Sequence, residues 1–109
     1  MVINFNDIAV TKLEQFKGGT GTVAANMYTD SLIKIMHMKL EKGVSIGYHT
    51  HDTSCEVVYI LSGRATVNYE GSIEYALPGQ AAYCPKGHSH CISNEDEEPL
   101  EFLAIVPEQ

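Results

Sequence analysis

Apolar and polar positions along this chain alternate in short runs with a period near two, the spacing of a half-buried strand. Residues 33–40 alternate in part and are rich in β-compatible side chains, and Glu41-Lys42-Gly43 ends the run. Residues 45–51 and 56–61 read as the next two strands, and Gly63 marks a reversal. Ala65, Val67 and Tyr69 then alternate with Thr66 and Asn68. Glu70-Gly71-Ser72 has hairpin composition, and Ile73, Tyr75 and Leu77 alternate on the return. Pro78-Gly79 turns again, and Pro85-Lys86-Gly87 separates strands at 80–84 and 88–93. An acidic loop over 94–99 precedes a last strand at 100–106. Many short strands, with Gly and Pro turns at roughly even spacing, predict an all-β jelly-roll barrel.

The first 31 residues carry a weaker pattern. Residues 7–16 fit a weak helix or an irregular extended segment, and Gly18-Gly19-Thr20-Gly21-Thr22 reads as a flexible loop. Gly19-x-Gly21-x-x-Ala24 formally fits a dinucleotide fingerprint, but no strand pattern precedes it and no helix pattern follows, so it is read as a surface loop. The expected organisation is an N-terminal strand or extension with a glycine loop over 1–31 and a barrel over 32–109, together forming one domain.

Composition narrows the partners. Fourteen acids against seven bases give a formal charge of −7. The only basic grouping, Lys34, Lys39 and Lys42, is interrupted by apolar residues, which argues against nucleic acid. The start Met-Val-Ile-Asn-Phe-Asn-Asp lacks the basic and apolar stretches of a signal peptide, and no apolar run is long enough to span a bilayer. A cytoplasmic protein with no membrane partner is expected. Cys55, Cys84 and Cys91 are odd in number and lack C-x-x-C spacing, so they read as free thiols.

The chemistry concentrates in four residues. His49 and His51 are two apart, so an extended chain points both imidazoles to one side, with Cβ atoms about 7 Å apart. Glu56 returns to the same place if the chain reverses at Asp52-Thr53-Ser54. His90 lies on a later strand. Three imidazoles and a carboxylate suit several divalent transition metals, and Fe, Mn, Ni, Cu and Zn all remain open. Without a metal, such a cluster in an apolar barrel carries a large desolvation cost. Four protein ligands leave up to two positions of an octahedron for other donors.

The spacings Gly43-x5-His49-x-His51-x4-Glu56-x6-Gly63 and Gly79-x5-Pro85-x-Gly87-x2-His90-x3-Asn94 resemble both signature motifs of the cupin superfamily. All ten specified positions match, over about half the chain. The resemblance implies a cupin-type jelly-roll β-barrel and a metal held by His49, His51, Glu56 and His90. It also implies a homodimer, because the outward positions Cys55, Val57, Tyr59 and Leu61 are too apolar for a solvated face.

Cupins span dioxygenases, isomerases, lyases, decarboxylases, storage proteins and sensors, so the fold does not choose among activities. The leading expectation is a metal-dependent enzyme on a small organic substrate, with dioxygenase-type, isomerase, lyase or ring-opening chemistry. The alternative is a module that binds a metabolite or sugar without turnover. His88 shares the parity of His90 and is the first candidate to orient substrate or move a proton. His37 is read as a core or surface residue, and Tyr48 points away from the metal by parity. Tyr69 and Tyr83 offer hydroxyls that parity cannot place, and Arg64 is read as a surface strand start.

Overall fold

The computed structural model describes all of residues 1–109. Ten strands are joined by short turns: β1 (Thr11–Glu14), β2 (Thr22–Thr29), β3 (Ile33–Leu40), β4 (Ser45–Thr50) and β5 (Glu56–Ser62), then β6 (Ala65–Tyr69), β7 (Ser72–Ala76), β8 (Ala81–Cys84), β9 (Ser89–Ser93) and β10 (Leu100–Pro107). They form a six-stranded sheet in the order β1-β2-β3-β10-β5-β8 and a four-stranded sheet in the order β4-β9-β6-β7. Every strand pair is antiparallel. The expected all-β jelly roll is therefore observed, with every strand expected from β3 onward in place.

Alternation builds the core. On β3 the buried residues are Met36, Met38 and Leu40; on β10 they are Leu100, Phe102, Ala104 and Val106. These meet Val58 and Ile60 of β5, Val67 of β6 and Ile92 of β9 between the sheets. Phe102 sits on the central strand of the larger sheet and is fully buried, which contributes about 2–3 kcal/mol. Gly43, Gly63 and Gly79 take φ of +80°, +80° and +86° at the expected reversals.

The N-terminal region differs from its weak pattern. Within residues 7–16 the extended alternative holds, since β1 occupies Thr11–Glu14. β2 is a full strand of eight residues that pairs along β3, with Ala25 opposite Met38 and Met27 opposite Met36. Residues 1–31 thus contribute two strands to the barrel's own sheet. The glycine segment is not a free loop. A Cβ on Gly19 would collide with the backbone of Ser45 and Gly47, and one on Gly47 would collide with the backbone of Lys17 to Gly19. The two backbones pack against each other there, and only glycine allows it. The strands on either side of the Gly19-Gly21 spacing are β1 and β2, which is not a strand–helix dinucleotide motif.

Candidate metal centre

His49 comes from β4, Glu56 from the first position of β5, and His90 from β9; His51 lies just beyond β4. Their ligand atoms all lie within 4.8 Å of one another. Simple alternation does not account for this. Ile46 and His49 are three apart, yet Ile46 is buried in the core and the His49 ring reaches the cluster. The register between β4 and β9 shifts between Ile46 and His49, and this bulge flips the face. It lies at Gly47 and Tyr48, where Gly47 carries the close backbone contact and Tyr48 is exposed.

The rings are held by their outer nitrogens. His49 Nδ1 donates to the Gly47 carbonyl at 2.7 Å, which leaves Nε2 as the acceptor of the neutral ring. His51 Nδ1 lies 3.2 Å from Ser54 Oγ. His51 Nε2 and His90 Nε2 are 3.1 Å apart, and Glu56 Oε1 is 3.3 Å and 2.8 Å from them, respectively. Burial alone would raise the Glu56 carboxyl. The hydrogen bonds from His51 and His90 and the charge of those rings outweigh burial and hold it at about 2. Burial pushes the His49 imidazolium down, so that ring favours its neutral, metal-binding form. Converging imidazole nitrogens beside an ionised carboxylate fit a divalent cation.

Two cavities reach the cluster. One, of about 660 Å³, is bordered by His49, His51 and Glu56 and opens between β1–β3 and β4. The other, of about 630 Å³, is bordered by His90, Tyr69, Tyr75 and Tyr83. Tyr69 is the register partner of His90, so it shares that residue's face; sequence parity alone could not place it. His88 precedes β9 and lies at the rim, where its Nδ1 shares a hydrogen bond with the Tyr69 hydroxyl at 2.5 Å and sits 3.7 Å from Glu70.

The other candidates lie elsewhere. His37 faces outward from β3 and pairs with Glu101 at 3.3 Å. Arg64 makes a bidentate pair with Asp96, both bonds 2.9 Å, and stacks on Tyr75. Cys55 is buried at 6 % exposure. It precedes β5, where alternation does not yet apply, and its N–H bonds the Pro107 carbonyl.

All three cysteines are free thiols. Burial pushes the Cys84 thiol up to about 11. In the native protein at pH 8, Cys91 is expected to be the fast thiol towards Ellman's reagent, with Cys84 and Cys55 reacting only on unfolding. Rapid labelling of Cys84, mapped by mass spectrometry, would contradict this.

Comparison with known proteins agrees with the geometry. The cupin domain family model matches residues 36–106. The chain is 30 % identical over 112 residues to the oxalate-binding protein of Thermotoga maritima, covering 97 % of this chain and 93 % of that one. A Thermotoga maritima crystal structure described as a predicted oxalate decarboxylase superposes with a TM-score of 0.93 at 28 % identity, covering both chains fully. KdgF from Halomonas sp. shares the fold at a TM-score of 0.77 and 18 % identity, covering 98 % of this chain and 92 % of that one. The chain belongs to the cupin family.

Proposed function

We propose that this cupin holds one divalent transition metal (Fe, Mn, Ni, Cu or Zn) through His49, His51, Glu56 and His90, and takes a small carboxylate ligand at that centre. The carrying observation is the convergence of four donor atoms within 4.8 Å of one another, three of them on residues that border an open cavity. The ligand class is supported by the relatives described as an oxalate-binding protein and a predicted oxalate decarboxylase. The metal would supply a Lewis-acidic centre for oxygen donors. Ser54 and the Gly47 carbonyl would keep His51 and His49 turned towards it, as outer partners of metal-bound histidines do.

The first test is metal content by inductively coupled plasma mass spectrometry, on untagged protein purified without chelator. Near-stoichiometric metal is expected. Protein that stays metal-free after reconstitution overturns the proposal.

Turnover is a second reading, favoured by the Tyr69–His88 pair beside His90, which offers a titratable group near the centre. Oxalate, sugar acids, catechols and dicarbonyls would be screened for both thermal shift and product. Shift without product marks a binding module. If product forms, His88→Ala should lower turnover while metal content is retained.

The outer face of the larger sheet supports a homodimer. Val57, Tyr59, Leu61, Tyr83, Leu103 and Ile105 gather there, with Tyr59 and Leu61 each 42 % exposed and Tyr83 57 % exposed. An apolar face of this kind is commonly covered by a partner. Light scattering after size exclusion is expected to give twice the 12.0 kDa of one chain, and a clean monomer would refute it. No helix is long and apolar enough to cross a membrane. Three free thiols accord with the reducing cytoplasm that we propose as the setting.

A further inference from the structure

We infer that the ligand is a monocarboxylic 2-oxo or 2-hydroxy acid with an aliphatic tail, rather than a bare dianion such as oxalate. This rests on the metal-and-carboxylate reading above and deepens it. The 660 Å³ cavity bordered by His49, His51 and Glu56 continues well past those residues. Part of its remaining wall is an apolar patch of Leu13, Phe16, Met27, Met36, Met38 and Ile46, and polar residues such as Thr29 and Thr50 line the rest. Met27 and Met36 are register partners on β2 and β3, so their side chains form one continuous strip on the inner face. Oxalate has no carbon between its carboxylates and would leave this strip uncovered.

Charge argues the same way. The cations lining the cavity are Lys17 and Lys34, both exposed at its rim, and the acids Asp52 and Glu108 line that rim beside them. The four charges cancel, so the rim offers no net attraction for a second carboxylate. Arg64, the only arginine, is committed to Asp96 on the surface. A carboxylate with an adjacent oxo or hydroxyl oxygen presents two oxygens to the centre, and an aliphatic tail then covers the methionines. Methionine walls adapt to different tail shapes, which favours a class of ligands over one compound.

The test is calorimetric titration of metal-reconstituted protein with oxalate, pyruvate, 2-oxobutanoate, 4-methyl-2-oxopentanoate and 2-oxoglutarate. Each buried methylene is expected to raise affinity roughly fourfold. 4-Methyl-2-oxopentanoate should then bind at least about tenfold more tightly than pyruvate, and Met27→Gln should flatten the series. If oxalate binds and affinity falls along the series, the tail inference fails while the carboxylate reading stands. If 2-oxoglutarate binds most tightly and loses that advantage in Lys34→Met, the monocarboxylate inference fails. If neither oxalate nor any oxo acid binds, the carboxylate reading itself fails.

Discussion

His90→Ala is expected to abolish metal binding while leaving the fold in place. His90 is 2 % exposed, and its Nε2 lies against both Glu56 Oε1 and His51 Nε2. No neighbour can supply the lost nitrogen, because β9 enters the cluster through this residue alone. Losing an outer partner of a metal ligand typically costs about 10–100-fold in affinity. Losing the ligand should therefore exceed 100-fold. The core does not depend on this ring, since Ile92, two residues along the strand, carries the packing of β9. Glu56 would keep His51 but lose its closer partner, so its carboxyl should rise from about 2. Metal content and far-ultraviolet circular dichroism decide the matter together. A folded variant with full metal occupancy contradicts the ligand assignment.

Asn94→Ala should act in the opposite way, losing stability and keeping metal. Asn94 is fully buried where β9 ends. Its Nδ2 donates to the carbonyls of Leu40 and Glu98, each at 2.9 Å, and its Oδ1 accepts from the Asp96 N–H at 3.0 Å. Its backbone also exchanges bonds with Gly43 and Val44. One side chain thus ties the end of β3 to the acidic loop before β10. Alanine leaves the Leu40 carbonyl buried without this donor, and the three lost bonds together should cost about 2–4 kcal/mol. For a domain of this size that is a fall in melting temperature of roughly 10–20 °C. His90 and the other ligands lie four or more residues away, so metal affinity should change little. A fall under about 5 °C would show that the loop is held by other means.

Much of this molecule was legible because its signals are local. Gly43, Gly63 and Gly79 mark reversals, and alternation between them sets which residues of β3, β5 and β10 face inward. β2 was not legible. Asn26 and Tyr28 interrupt its apolar character, and its eight residues are strand because they pair with β3. His49 faces its partners only because of the irregularity at Gly47 and Tyr48, which nothing in the apolar pattern announces.

The sequence by itself determined the cupin fold and the chemistry of the donor set, since spacing and residue type are written along the chain. The tertiary structure alone decided how those donors meet. Gly47 lets the N-terminal segment rest on β4 while its carbonyl orients His49. Ser54 holds His51, register puts Tyr69 beside His90, and Met27 and Met36 become one wall. Some of these are contacts between residues distant in sequence, and the short-range ones, Gly47 with His49 and Ser54 with His51, depend on the turn and the shift of pairing register around them. Both are set by how strands pack, which a period-two pattern leaves undetermined.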